Sequence, residues 1–384
     1  MYNIQLLNKI AKCGTEVFGA NYNVDVNIDN PSGIMVRSAS MHEMNFDDSL
    51  LAIARAGAGV NNIPVDTCSE KGIVVFNTPG ANANAVKELA VCALLLSSRK
   101  IVDGINWAST LTEDVAKSVE KGKGAYVGPE LAGKTLGIIG LGAIGALLAN
   151  VATHLGMTVY GYDPFITVDA AWRLSKSVKH AKELSDIFAN CDYISVHVPS
   201  TPDTKGMICE KTISTMKDGV RIINLARADL VNADDIKKAL SDGKVASYVT
   251  DFPTEETVGV PGIVAIPHLG ASTPESEDNC AVMAANQLRD YLESGNIKNS
   301  VNFPNAFIPV SDNKRIAIFH KNVPAVISSI STILSDSKIN IENMVNGSKK
   351  DNAYTLIEVG GDVSSDIVAK LSTLENVIRV RVIG

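Results

Sequence analysis

Nothing in this 384-residue chain supplies the dense basic stripe that a nucleic-acid backbone requires. Lys and Arg number 35 against 42 Asp and Glu, a net charge of −7, which argues against a nucleic-acid partner. Cysteine is sparse as well. Cys13, Cys68, Cys92, Cys191, Cys209 and Cys280 form no Cys-x-x-Cys and have no histidine at metal-ligand spacing, so they read as reduced thiols in or near cores, with no disulfide and no metal. Long apolar runs are missing too. The most apolar stretch, Leu89 to Leu96, is too short to span a bilayer, and Met1-Tyr-Asn-Ile-Gln lacks a basic region followed by an apolar one; no membrane partner and a cytoplasmic location are the expectation. What the chain does have is 46% apolar against 20% charged residues, ample for two or three cores.

The most informative run is Thr135-Leu-Gly-Ile-Ile-Gly140-Leu-Gly142-Ala143-Ile144-Gly145, a strand-like apolar stretch leading into G-x-G-x-x-G and then a helix-like Ala-Leu-Leu-Ala. Gly140 suits a turn closed to residues with a Cβ, Gly142 a close approach to a pyrophosphate, and Gly145 close helix–strand packing. The phosphates would sit on the helix N-terminus. The next apolar strand ends at Asp163, 18 residues past Gly145, where a ribose-binding carboxylate belongs in a dinucleotide-binding unit.

Four stretches follow from the patterning. From Tyr2 to about Leu96, short apolar strands (Gly33–Val36, Leu51–Ala54, Ile73–Phe76) alternate with polar or helix-like segments, predicting a small open α/β sheet. From Leu131, strands at Leu136–Gly140, Val159–Asp163, Tyr193–Val198, Arg221–Leu225, Ala246–Asp251 and Val264–Pro267 predict a doubly wound sheet. Helical patterns over Ala85–Trp107 and Pro274–Ser294 let the chain cross between two lobes and return, with a ligand cleft between them. The last stretch spells βαββαβ: strand Arg315–Phe319, helix Pro324–Ser335, strands Ile339–Val345 and Ala353–Gly360, helix Ser364–Leu374 and strand Val377–Ile383, a ferredoxin-like unit. Asn299-Ser-Val-Asn-Phe-Pro-Asn-Ala reads as the linker before it. The expected domains are a substrate lobe over 1–96 completed by about 282–306, a dinucleotide domain over 97–281 and the tail over 312–384.

Three chemical groups stand at strand ends of the second lobe: Arg227, Glu255 and His268. Moving a hydride from a secondary alcohol to a nicotinamide requires a base for the hydroxyl proton, a cation for the carboxylate and developing oxygen charge, and a group to orient the base. His268, Arg227 and Glu255 suit those tasks in that order.

The order of these motifs, with Arg55-Ala-Gly-Ala-Gly-Val, Phe76-Asn-Thr-Pro-Gly80-Ala81-Asn-Ala-Asn-Ala-Val-Lys87-Glu88 and Pro267-His-Leu-Gly270-Ala-Ser-Thr273, resembles the D-isomer-specific 2-hydroxyacid dehydrogenases over essentially the whole chain. The βαββαβ tail looks like an ACT domain. Within the family these motifs look most like members that oxidise 3-phospho-D-glycerate to 3-phosphohydroxypyruvate with NAD, the first step of L-serine synthesis. The resemblance implies cofactor contacts from Gly140, Gly142, Ala143, Ile144, Gly145, Asp163, His197, Val198, Pro199, Thr204, Leu225, Ala226, Arg227, Asp251, His268 and Gly270. It places the substrate carboxylate on the amides around Gly80 and Ala81, with Arg37, Arg55 and Lys87 as candidate cations for a phosphate. In the tail, His320 and Asn322 of His-Lys-Asn-Val-Pro324, with Asn340, match a serine site shared by paired tails, implying a homodimer or homotetramer. Other readings of the same motifs are a hydroxypyruvate or glyoxylate reductase and a non-catalytic dinucleotide-sensing corepressor. Four positions depart from the family pattern: Asn61 replaces an Asp, Ala228 and Ala325 replace glycines, and Thr250 replaces an acid now found beside it as Asp251.

Overall fold

In the computed structural model, which describes residues 1–384 apart from the side chain of Asp169, the chain forms two units, Met1–Ala81 with Pro274–Gly384 and Asn82–Thr273. The first opens with a parallel sheet of β1 (Tyr2–Leu6), β2 (Tyr22–Asp25), β3 (Gly33–Val36), β4 (Ala52–Arg55) and β5 (Val74–Phe76), ordered β2-β1-β3-β4-β5. β3 and β5 are short apolar runs buried along their whole length, as parallel strands covered on both faces must be. β1 and β2 carry Asn3, Gln5, Asn23 and Asp25 between their apolar residues, and only the pairing of β1 with β3 and of β2 with β1 reveals them.

The second unit holds β6 (Thr135–Ile139), β7 (Thr158–Tyr162), β8 (Lys179–His180), β9 (Tyr193–Val196), β10 (Val220–Asn224), β11 (Val245–Thr250) and β12 (Ile263–Ala265), all parallel, in the order β12-β11-β10-β9-β6-β7-β8. The order reverses between β6 and β9, the switch point at which doubly wound sheets bind nucleotides. The helix Ala83–Arg99 packs Val86, Ala90, Ala93 and Leu94 against Leu136, Ile138 and Val249 of this sheet. It therefore belongs to the second unit, and the division falls after Ala81 rather than after residue 96. Its pattern also breaks earlier than the sequence suggests. Lys100 turns left-handed at φ 46°, and the following helix Ile101–Ala108 buries no residue, so no packing holds the two in one line.

The tail has the expected βαββαβ topology: β13 (Lys314–Lys321), helix Val326–Asp336, β14 (Asn340–Lys349), β15 (Asn352–Gly360), helix Ser365–Ser372 and β16 (Val377–Ile383), ordered β14-β15-β13-β16 and antiparallel. One sheet face buries Ile316, Ile318, Ile357 and Val359 under the two helices. The other carries Ala317, Phe319, Tyr354 and Leu356 into the same core as Ile4, Phe76, Tyr291 and Phe303, with the Phe319 ring 4.8 Å from Phe303 and 4.7 Å from Tyr354. The tail is thus part of the first unit rather than a tethered module. Arginines reinforce the join. Arg381 donates to the carbonyl of Tyr291 at 3.1 Å and to that of Leu292, and Arg315 to the carbonyl of Ser294 at 3.0 Å; these carbonyls end the helix Pro274–Ser294, where its dipole favours cations. Arg379 reaches the carbonyl of Leu50 at 2.7 Å.

The segment read as a linker is a buried strap. Ser300 bridges Phe76, Val301 donates to the carbonyl of Val75 at 2.9 Å, and the Asn302 side chain accepts from the Val75 amide at 2.9 Å while donating to the carbonyl of Ile73 at 2.9 Å. Its polar composition, which suggested solvent, instead satisfies the open edge of β5. Among the described residues no helix is long and apolar enough to cross a membrane. Ala325 holds φ 71° at the start of the helix Val326–Asp336, a conformation costing a residue with a Cβ roughly 1–2 kcal/mol.

Candidate active site

β6 delivers the chain into a turn at Gly140, whose φ is +93° and where a Cβ would lie 2.6 Å from the carbonyl oxygen of His197. A Cβ on Gly145 would overlap the carbonyl oxygen of Gly140, so the helix Ala143–His154 seats directly on the turn. The Cβ position of Gly142 has no atom within 4 Å. The helix start carries no side-chain cap and no acid in its first turn, leaving the amides of Ala143, Ile144 and Gly145 as a positive end facing that open space. An anion fits that open space, while Cβ atoms are excluded at Gly140 and Gly145, which build the turn.

At the end of β7, Asp163 is held in place by the amides of Leu141 and Phe165, each donating to one of its carboxylate oxygens at 2.9 Å. The lone pairs left over can accept ribose hydroxyls. Across the switch point the amide of His197 donates to the carbonyl of Ile139 at 2.8 Å, continuing the pairing of β9 with β6. Its ring bonds Ser195 Oγ through Nε2 at 2.8 Å, leaves Nδ1 buried without a partner, and is held neutral by burial, which pushes its pKa down to about 4. Val198 is half-buried and Pro199 exposed beside it. Thr204 accepts from the amide of Thr201 at 2.9 Å and bonds the carbonyl of Pro199 at 2.7 Å, closing that loop.

Arg227 stands three residues beyond β10, after the buried Leu225 and half-buried Ala226. Asn224 shapes this turn: its side chain donates to the carbonyl of Arg227 at 2.8 Å and accepts from the amides of Ala226 at 3.2 Å and Arg227 at 3.4 Å. Ala228 begins a short 3-10 helix without positive φ, so the methyl that replaces glycine is accommodated. The Arg227 guanidinium lies 5.6 Å from the Phe252 ring centre, and the His268 ring lies 4.4 Å from that same centre. Phe252 is the common wall of both groups, and no sequence motif singled it out.

Asp251 is 1% exposed, with Oδ1 buried and unpartnered. Burial raises its pKa, opposed by the His268 charge and by the amide of Gly270; a Cβ on Gly270 would lie 3.1 Å from Asp251 Oδ2. Thr250, where the family pattern has an acid, is buried and accepts from the amide of Phe252 at 3.1 Å. Glu255 is exposed in the turn closed by Thr254 and Thr257. Among the described contacts no hydrogen bond or ion pair joins Glu255 to His268.

In the first unit Arg37 and Arg55 lie side by side at the ends of β3 and β4, where Arg55 Nε donates to the carbonyl of Arg37 at 3.1 Å. Arg37 pairs with Glu277 at 2.7 Å. Gly80 takes φ 81°, and the amide of Ala81 bonds the carbonyl of Thr78 at 3.3 Å. Lys87 lies on the helix Ala83–Arg99 of the second unit, its side chain 16% exposed and 3.5 Å from Glu88. In the tail His320 is buried with both ring nitrogens satisfied, by Thr355 Oγ1 at 2.9 Å and the carbonyl of Lys321 at 2.8 Å. Asn322 bonds the carbonyl of Lys350 at 3.2 Å and Asn340 bonds Glu342 at 2.8 Å, at opposite ends of β15.

A parallel sheet with a glycine turn at its switch point and an imidazole, a guanidinium and carboxylates at its strand ends fits an NAD-dependent oxidoreductase. Residues 92–271 match the NAD-binding domain of D-isomer-specific 2-hydroxyacid dehydrogenases, and residues 316–379 match an ACT domain like that of the AHAS small subunit. The chain is 31% identical over 346 residues to D-3-phosphoglycerate dehydrogenase of Haemophilus influenzae, covering 87% of this chain and 81% of that one. It is 30% identical over 353 residues to the Escherichia coli protein of the same name, covering 88% and 83%. The crystal structure of NAD+-bound 3-phosphoglycerate dehydrogenase from Entamoeba histolytica superimposes with a TM-score of 0.58 at 26% identity, over 80% of this chain and 99% of that one. The chain belongs to the D-isomer-specific 2-hydroxyacid dehydrogenase family.

Proposed function

We propose that this protein oxidises 3-phospho-D-glycerate to 3-phosphohydroxypyruvate, the first step of L-serine synthesis. The observation that carries the substrate is the similarity, across more than four-fifths of each partner, to curated proteins named D-3-phosphoglycerate dehydrogenase. Bound NAD supplies the acceptor for the hydride that leaves C2. A ring nitrogen of His268 takes the hydroxyl proton. Glu255, exposed in its turn, is the family's candidate for orienting the ring. Arg227, fixed by Asn224 and backed by Phe252, holds the carboxylate or the developing carbonyl oxygen. The amides of Gly80 and Ala81 complete the grip on the carboxylate, and Asp251 meets the nicotinamide amide.

The phosphate needs cations. Arg37, Arg55 and Lys87 are the candidates, and Lys87 is distinguished by a largely buried side chain with only a long contact to a carboxylate. Lys87→Ala raises KM for 3-phosphoglycerate by about tenfold to a hundredfold, the effect of losing a charge-assisted hydrogen bond, while KM for unphosphorylated D-glycerate changes little. Equal effects on both substrates would remove Lys87 from the phosphate site.

The tail supplies regulation by serine. Asn322 and Asn340 stand at opposite ends of the nine-residue β15, roughly 25 Å apart, so a ligand held by both requires two chains, and a homodimer or homotetramer follows. Calorimetry on the full chain should show serine binding at or below millimolar concentration, weakened about tenfold by Asn322→Ala. No binding at that concentration would leave the tail a structural element. The full chain is the proper material, because removing the tail would uncover the core it shares with β1 and β5.

A further inference from the structure

The loop Asn77–Ala81 is held from behind by an amide relay that none of the family motifs includes. Gln287, on the helix Pro274–Ser294, is 8% exposed and engaged at both ends: Nε2 donates to the carbonyl of Asn77 at 2.9 Å, and Oε1 accepts from Asn299 Nδ2 at 2.6 Å. The Asn299 carbonyl accepts from the Asn77 amide at 3.4 Å, so backbone and side chain of Asn299 reach the same residue, one directly and one through Gln287. Asn299 holds φ 59° to do this, and its own amide bonds Asn305 Oδ1 at 3.1 Å. Asn77 in turn donates its side chain to the carbonyl of Ala58 at 2.6 Å, and the next residue, Thr78, donates its amide to the carbonyl of Gly57 at 3.1 Å.

These bonds fix the stem from which Gly80 and Ala81 project. A primary amide can donate to one carbonyl while accepting from a second amide, and burial makes either loss costly because water does not readily replace the partner. The relay also borders open space: Gly80, Ala81, Met283, Gln287 and Asn299 share the wall of a cavity of about 730 Å3.

We infer that Gln287 and Asn299 are positioning residues for the substrate loop, setting the direction of the Gly80 and Ala81 amides. The inference rests on the assignment of those amides to the substrate carboxylate under Proposed function. It differs from a general stabilising role in predicting an effect confined to one substrate and one loop.

The test uses the full chain with Gln287→Met, nearly the same size but without the amide, and Asn299→Gly, which keeps the left-handed backbone and deletes the donor. Gln287→Met raises KM for 3-phosphoglycerate about tenfold, with kcat and KM for NAD within about threefold of wild type. Hydrogen exchange at residues 77–81 speeds by about the same factor, while β3 and β4 exchange as in wild type. Asn299→Gly moves both readouts in the same direction by less. Unchanged exchange at 77–81, or an unchanged KM in an active Gln287→Met enzyme, overturns the inference. If the wild-type enzyme does not oxidise 3-phosphoglycerate, the substrate assignment fails by itself and the exchange comparison alone decides whether the relay holds the loop.

Discussion

His268→Ala should lower turnover of 3-phosphoglycerate by about 10²–10⁴, the usual contribution of a positioned general base, and should leave NADH binding close to wild type. The separation follows from where the ring stands. It lies beyond β12 against Phe252, exposed and facing buried Asp251, whereas the amides and carboxylate that would hold a dinucleotide belong to the turn after β6 and the end of β7. Arg227→Ala behaves differently, damaging substrate KM and turnover together, because it removes a cation present for both ground state and transition state. Steady-state rates alongside NADH fluorescence titration separate the two. More than half of wild-type turnover in His268→Ala, with chemistry rate-limiting, would contradict the base assignment.

The second large effect concerns the choice of nucleotide. A 2′-phosphate placed about 4 Å from the Asp163 carboxylate meets a repulsion of roughly 4 kcal/mol at an effective dielectric of 20. NAD is therefore preferred over NADP by on the order of a thousandfold in kcat/KM. Asp163 cannot readily swing aside, since both its oxygens accept backbone amides, from Leu141 and Phe165. Asp163→Ala should collapse the ratio. Measuring the ratio rather than either affinity cancels the loosening of the turn that the same substitution causes. Equal use of both nucleotides by the wild type, or an unaltered ratio in the variant, would contradict the role.

The nucleotide unit was legible in the sequence because its signals are local. Glycines at 140, 142 and 145, an apolar strand before them and an acid after the next strand are all constraints within one βαβ unit. The helix Pro274–Ser294 was legible for the same reason. What escaped depends on contacts far apart in the chain. The strap at 299–306 looks like a linker because its asparagines and serine suit solvent, yet Asn302 spends its side chain on the backbone of β5. The tail looks separable because its βαββαβ pattern is self-contained. A signal was nonetheless present: Ile316-Ala-Ile-Phe319 is apolar at every position, which a sheet covered on one face does not require. Phe252, Asn224 and Gln287 belong to no motif, and each acts through the position it gives a neighbour.

Glu255 shows the opposite limit. Chemistry and family resemblance pair it with His268, but the Thr254–Thr257 turn holds it in solvent, and the carboxyl group that feels the His268 charge is that of Asp251. The shift of an acid from position 250 to 251 was visible in the sequence. Its burial at the end of β11 was not, because it depends on the approach of Gly270 to its carboxylate.

NAD-dependent oxidation of a phosphorylated 2-hydroxy acid by this protein is tested most directly by comparing two substrates that differ only in the phosphate. With NAD and purified full-length protein, kcat/KM for 3-phospho-D-glycerate should exceed that for D-glycerate by about a hundredfold or more, the worth of roughly 3 kcal/mol of charge-assisted binding. Parity between the two, or faster reduction of NAD with D-glycerate, would contradict the account.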